Sequence, residues 1–514
     1  MKKILSSLIF LVCFHLTAQN FSDVLKYSQT SLNGSARYTA LGGAFGAVGG
    51  DLSALEANPA GSSIFSFSEL GFTLNSSRLS NDVTYFDSTN KNSDHRINFN
   101  HFGIVLVLGE ENYGKWSKLA LAFNYQKHSD FNANYFIEGY NRNNGIDRYF
   151  LDYAQGRFFE NISQMDNESF SEAYLAIGET EDLGFPAQQA LIGYEAYMIN
   201  PVPFSETSNP TDPNIQSYRS NTQAGPNGFY HDYTLLKSGS SRKYTFNISS
   251  VYDNKLYLGL NINSYNVEYS EYVDFYESDY GSMSGVQSFL FLNDLKTMGS
   301  GKSFQLGAIY KVSNYLRLGL TFDSPTYYRL YDQLYQTAEV EAIEDERLIS
   351  RVLDPEASIL FPEYRLNTPY STKGSLAYII KDRGFISIDF TQKNYLDSRF
   401  SPREDAFLSY LNEEINNQFQ TSKIIQIGGE YRLNPELSLR AGYFNETASL
   451  VGFDNSQSII SGGFGYNLGP SQIDMSLQAF TSSKERPLFS NGLTDTIEIN
   501  QNRLNLILTY RLKL

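Results

Sequence analysis

Few side chains in this sequence could do chemistry, and their spacing limits what they could do. The chain has five histidines. His15 lies in an apolar leader. His95 and His101 share one alternating stretch, and an extended chain at ~3.3 Å per residue sets them about 20 Å apart, too far to share a metal ion. His128 and His231 flank the segment 130–239 and are the two that could hold a metal or a haem iron; exposed polar loop residues are the ordinary alternative. The single cysteine, Cys13, also falls in the leader. The mature chain therefore has no disulfide, thiolate ligand or cysteine nucleophile. Acid pairs occur at Glu110-Glu111, at Glu413-Glu414 and at Glu341 with Glu344, and such pairs could serve general acid–base chemistry. Neighbouring acids in loops are ordinarily just solvated, no Ser/His/Asp spacing accompanies them, and there is no Gly-x-Ser-x-Gly. The chain reads as a non-enzyme, without a metal or cofactor.

The residues left to explain are glycines. Leu41 to Asp51 holds Gly42, Gly43, Gly46, Gly49 and Gly50, and Asn58, Pro59 and Ala60 follow closely. Such a run is a poor helix and a poor strand. A nucleotide-binding turn needs a βαβ context that is absent here. Yet Leu41, Ala44, Phe45, Ala47 and Val48 are apolar and must be buried. The run reads as a plug inside something larger, either a mobile gate or a fixed stopper. Asn58-Pro59 reads as a tight turn pinning it to a wall, since Pro fixes φ and Asn favours turns.

What precedes the plug is a secretory leader: Lys2-Lys3, an apolar run from Ile4 to Leu16, and Ala18 before Gln19. Val12 before Cys13 argues against lipidation. A short helix is expected over Phe21–Gln29. Composition then excludes several classes. The net charge of −16 argues against nucleic-acid binding, which needs a basic patch. No later run is long and apolar enough for a membrane-spanning helix. Aromatic content is 15%, with 38 Tyr and 37 Phe but a single Trp, which suits strands and interfacial girdles.

From Phe67 onward the text alternates with period two, the strand signal. Phe304, Leu306, Ala308, Tyr310 and Val312 share a face, Ser313-Asn314 turns, and Leu316, Leu318, Leu320 and Phe322 continue. The same pattern recurs around Asn434-Pro435 and Gly469-Pro470. About fourteen strands result, roughly 68–78, 98–109, 117–129, 240–251, 255–272, 302–312, 315–323, 371–381, 384–396, 422–433, 436–447, 456–468, 471–484 and 498–514. Connections alternate between tight turns and long loops, the long ones being 79–97, 130–239, 273–301, 324–370 and 397–421. An even strand number with loop length segregated by side is the organisation of an outer-membrane barrel. In the last strand Leu504, Leu506, Leu508, Tyr510, Leu512 and Leu514 share a face, a liability in water and a requirement in lipid. Helices are expected within the long loops at 146–163, 171–177, 187–198, 338–352 and 403–418. Phe136, Tyr140, Tyr149, Phe150, Tyr153, Phe158 and Phe159 read either as an apolar ligand groove at the outer face or as a small satellite core.

Ser35 to Ala47 and Asp51 to Gly61, with Asn58-Pro59-Ala60 as the most specific part, resemble the N-terminal hatch of the FadL/TodX outer-membrane transport family, in a form similar to Bacteroidetes-type members. The resemblance implies an all-β transmembrane antiparallel barrel of about fourteen strands, with a leader at 1–18, a hatch at 19–66 inside the barrel, and the barrel itself at 67–514. It implies passive uptake of hydrophobic compounds such as long-chain fatty acids across the outer membrane of a Gram-negative cell. The ligand would bind in an outer apolar groove and leave sideways through a gap beside the hatch. The implied partners are the ligand, outer-membrane lipid, lipopolysaccharide and the barrel-assembly machinery. Three alternatives stay open: a haemin-uptake protein, a non-transporting docking barrel of type IX secretion, and a general porin with a polar lumen and no hatch.

Overall fold

The computed structural model describes residues 20–108, 115–180, 183–205, 207–452 and 455–514. The expected leader and Glu110-Glu111 lie outside the described residues. Fourteen antiparallel strands form a closed barrel: β1 Glu69–Tyr85, β2 Ser88–Leu108, β3 Trp116–Asp130, β4 Phe229–Tyr252, β5 Leu256–Ser278, β6 Val286–Lys311, β7 Leu316–Asp323, β8 Ser371–Ile380, β9 Gly384–Asn394, β10 Thr421–Arg432, β11 Leu437–Glu446, β12 Gln457–Asn467, β13 Ser471–Pro487 and β14 Thr496–Lys513. β1 closes on β14 from Glu69↔Lys513 to Thr84↔Glu498, so no edge is left open there. Among the described residues no helix is long and apolar enough to cross a membrane.

The alternation sorts residues inside out relative to a water-soluble protein. Outward-facing Phe246, Ile262, Leu320 and Ile460 are 60–68% exposed. Inward-facing Asn247, Gln305, Gln478 and Thr509 are buried. Nine residues of β14, from Leu504 to Leu512, carry this band over about 26 Å at ~3.3 Å per residue, and less after strand tilt.

Several strands run far past the band. β1 and β2 meet at Phe86-Asp87, and β5 and β6 are separated only by 279–285. The segments 79–97 and 273–301, expected as loops, are therefore strand apart from those two turns. Outside lipid the outward face need not be apolar, so the sequence alternation weakens while the hydrogen-bonded pairing continues, and the inward face still buries Val83, Tyr85, Phe275 and Phe289. β7 breaks at Ser324–Thr326 and resumes as an accessory strand, Tyr327–Glu344, that pairs with the outer half of β6.

The expected helix over 338–352 is instead a hairpin of Tyr327–Glu344 with Arg347–Leu353, turning at Asp345-Glu346 with φ of 48° and 62°. Ala338, Val340 and Ala342 are buried in alternation, and that burial overrides the helix-forming composition. The other helix expectations correspond to α4 Asp147–Ala154, α5 Phe170–Glu179, α6 Gly184–Glu195 and α7 Ala406–Gln418. With the strand Ala133–Asn141 paired on β4, α4 to α6 build a cap whose apolar core includes Phe150, Leu191, Phe275 and Phe289. Inside the barrel lie α1 Asp23–Ser28, α2 Ala36–Ala40, α3 Ala54–Ala57 and a 3-10 turn, Pro59–Ile64.

Candidate functional site: hatch, chamber and a break in the wall

The hatch first folds on itself. Ser35 Oγ donates to Asp51 Oδ1 at 2.7 Å, and the Ser35 amide donates to Ser53 Oγ at 2.7 Å. Asn58 ties hatch to wall: its Nδ2 donates to the Gly46 carbonyl at 2.8 Å and to the Ala308 carbonyl of β6 at 3.0 Å. Its Oδ1 accepts from the Ala60 amide at 3.0 Å and so caps the turn that begins at Pro59. Gly42, Gly43, Gly49 and Gly50 have φ between 62° and 77°, where a side chain would be strained. Gly46 does not; it is needed because a methyl group there would overlap Ser375.

An irregular buried backbone leaves carbonyls without partners. The barrel supplies them. Gln426 donates to the Gly42 carbonyl at 3.0 Å, Asn261 to Leu55 at 2.9 Å, Gln305 to Glu56 at 3.1 Å, and Asn247 to Pro59 at 2.9 Å. Arg37 of α2 donates to Glu430 at 2.7 Å. Glu430 continues a buried chain of alternating charge along the inner wall: Arg440 to Asp474 at 2.5 Å, and Arg511 to Asp474 at 2.9 Å and to Glu69 at 3.2 Å. The wall also makes room. At Gly259, Gly307, Gly319, Gly428 and Gly442, on five strands, a Cβ would overlap hatch atoms. Neither the wall amides nor these glycines stood out in sequence. Their signal was an isolated glycine or amide at an inward strand position, which marks close backbone approach.

Above the hatch lies a chamber of about 1070 Å³. Tyr149 of α4, Tyr233, Tyr269, Leu334 and Phe489 line it with Lys484, Arg486 and Arg503. Lys237 is paired with Glu271 at 2.8 Å. Lys484 and Arg503 sit over the rings of Tyr135 and Phe480 instead, and none of the ion pairs within 4 Å found among the described residues includes Lys484, Arg486 or Arg503. Gln29–Ser31 and Asn33 also border a smaller polar chamber of about 170 Å³ lined by His128, Lys243, Lys373 and Lys393.

The candidate histidines are not brought together. His128 borders the smaller chamber. His231 is buried in the cap, where its Nδ1 is 2.9 Å from Tyr85 Oη and its Nε2 is 2.7 Å from Glu277 Oε2. His95 contacts Ser76, and His101 turns inward, buried. Of the seven groove candidates, Tyr149 lines the chamber; Phe150, Tyr153 and Phe159 lie in the cap core; Phe136, Tyr140 and Phe158 are about 40% exposed on the outside. The paired acids Glu341 and Glu344 are exposed on the accessory strand, and Glu413-Glu414 sit on α7.

The wall is interrupted beside the chamber. The β2–β3 ladder runs from Leu108↔Leu119 only to His101↔Gln126. At that point β2 bulges, with Thr73 opposite His101 and Leu74 opposite Phe99, so that Asn100 is the extra residue. Beyond it β2 pairs with β1, and β3 with β4. Side chains span the break: Lys127 Nζ donates to Asn98 Oδ1 at 3.3 Å. Asn98, Asn100 and Lys127 face the chamber, while Ile97 and Phe99 on the outer side are 72% and 47% exposed.

A family model described as "Uncharacterised protein family (UPF0164)" matches residues 14–93. No curated protein matches the chain in sequence. Among solved structures the chain is similar to the toluene transporter TodX of Pseudomonas putida, at 13% identity over 94% of this chain and 99% of that one, TM-score 0.50. It is likewise similar to a FadL homologue of Pseudomonas aeruginosa, at 11% identity over 94% and 98%, TM-score 0.51. At such identity the likeness is one of fold.

Proposed function

We propose that the protein is an outer-membrane channel for passive uptake of amphipathic molecules, long-chain fatty acids above all. They enter the chamber from the outer side and leave sideways between β2 and β3. The observation that carries this reading is the position of the break: it opens beside the chamber, while the hatch beneath is hydrogen-bonded to the wall on many strands. An apolar solute gains nothing from an aqueous pore and gains fully from transfer into lipid. Lys484, Arg486 and Arg503 among tyrosines and phenylalanines favour an acidic head on an apolar body over a plain hydrocarbon.

The test uses proteoliposomes with labelled oleate and labelled toluene. Wild type admits oleate faster than toluene. The pair Asn98→Cys and Lys127→Cys, bridged by a short bis-methanethiosulfonate, reduces oleate entry to that of protein-free liposomes, and reductant restores it. Deletion of 34–61 opens an ion leak. Oleate entry that ignores the bridge would refute the sideways route. No uptake at all, with secretion proteins co-purifying, would favour a docking barrel.

A further inference from the structure

Just above the apolar band the outward face of the wall is mostly uncharged, as at Thr372, Gln392, Ser458, Thr481 and Asn502, all exposed. One sector differs. Going outward along β6, the exposed series is Leu306, Phe304, Lys302, Ser300. The accessory strand sets Tyr327 opposite Lys302 and Arg329 opposite Ser300. On its other side a short strand, Tyr364–Asn367, sets Arg365 directly opposite Arg329. Lys302, Arg329 and Arg365 are all exposed. None of them belongs to an ion pair within 4 Å among the described residues, whereas Lys296, farther out on β6, is paired with Asp294 at 3.0 Å.

Like charges directly opposite on a sheet destabilise it. The chain has 56 acidic against 40 basic residues, so an acid to neutralise this pair was available and is not used. Height narrows the ligand. Lys302 and Ser300 stand about 7 Å and about 13 Å beyond Phe304 along the strand at ~3.3 Å per residue. That places Lys302, and Arg329 with its cross-strand neighbour Arg365, at the headgroup layer over the hydrocarbon. Below them runs a row of rings, Phe304 to Phe322 at 6.2 Å and Phe322 to Tyr370 at 6.1 Å. Tyr327 and Tyr331, 54% and 46% exposed, flank the cations as interfacial tyrosines do.

We propose that Lys302, Arg329 and Arg365 form a binding site for the phosphate groups of lipid A, the glycolipid of the outer leaflet, with its acyl chains against Phe304, Phe322 and Tyr370. This rests on the outer-membrane reading. Guanidinium groups bind phosphate through paired charge-assisted hydrogen bonds, which a hydrated hydroxyl surface cannot replace.

The experiment measures lipid retention by the full chain in detergent, using native mass spectrometry with EDTA present. The probes are bisphosphoryl lipid A and the same lipid dephosphorylated. Wild type retains the phosphorylated lipid about tenfold better, and the triple variant Lys302→Gln, Arg329→Gln, Arg365→Gln loses that preference. Arg78→Gln with Lys423→Gln, exposed basic residues elsewhere on the wall, leaves it unchanged. Heat-dependent gel mobility checks that each variant is folded. If the triple variant does not fold, the wild-type comparison of the two lipids decides. Equal retention of both lipids by wild type, equal retention by wild type and a folded triple variant, or displacement of the lipid by inorganic phosphate at equal concentration would each overturn the proposal. A chain that folds without detergent would instead defeat the membrane reading itself.

Discussion

Asp147 opens α4 with its carboxyl buried beside Glu277, and burial first, then the Glu277 charge, pushes its pKa up to about 6 from 3.8. The native cap thus holds a proton more tightly than the unfolded segment does. The stability this contributes is fully present below pH 4 and is lost as pH rises through 6, by about 3 kcal/mol at ~1.4 kcal/mol per unit. Asp147→Asn should flatten that dependence and raise protection at pH 7, read as amide exchange over 147–195 at several pH values. His231 bears on the same spot, since it shares Glu277 with the Ile146 amide at 2.8 Å. Glycine positions make a sharper contrast. Gly442→Ala drives a methyl group into the backbone of Leu41 and Gly42, whereas Gly374→Ala meets nothing within 4 Å. The first should cost about 1–3 kcal/mol through overpacking and speed exchange across 36–50; the second should change neither. The hatch glycines and Asn58 were legible because their demands are local. The aromatic run 136–159 was not, because a helix and a strand send neighbouring rings to the chamber, the cap core and the solvent.

At the scale of elements, the β2 bulge decides where the wall opens. Deleting Asn100 would let Phe99 and His101 follow one another in a regular ladder. β2 and β3 should then pair past Gln126, and oleate entry into liposomes should fall several-fold with the barrel still folded. Unchanged entry would mean that the break is not the route. A bulge of one residue leaves almost no trace in a pattern of period two. The outer strands were hidden for a related reason: above the band, Asp82 pairs with Lys91 on an outward face that is polar, and the inward Leu79, Val83 and Tyr85 are buried without an apolar outer face to match. The hairpin at 327–353 was read as a helix over 338–352 because its composition favours helix, and only pairing with β6 decides otherwise.

For the molecule as a whole, the apolar band sets the solvent. Leu506 is 43% exposed at mid-band beside Leu477. Leu506→Arg should destabilise the folded barrel in phospholipid vesicles by about 2–4 kcal/mol, and Thr481→Arg above the band by about 0–1 kcal/mol. Urea titration of both variants checks this, and equal effects would place the band elsewhere. Asp474 tests the interior. It is shared by Arg440 and Arg511, so Asp474→Ala should cost about 3 kcal/mol by leaving two buried cations with one acid each, Glu430 and Glu69, read in the same titration.

Fourteen strands, their outward faces and the plug near the start followed from the sequence alone. Each rests on neighbours two residues apart or on glycine's own freedom, and such short-range signals survive in linear text. The docking of hatch carbonyls onto wall amides, the wall glycines, the opening between β2 and β3 and the three unpaired cations over the ring row were decided only by the tertiary structure. Each joins residues far apart in the chain, through a register that closure of the barrel alone imposes.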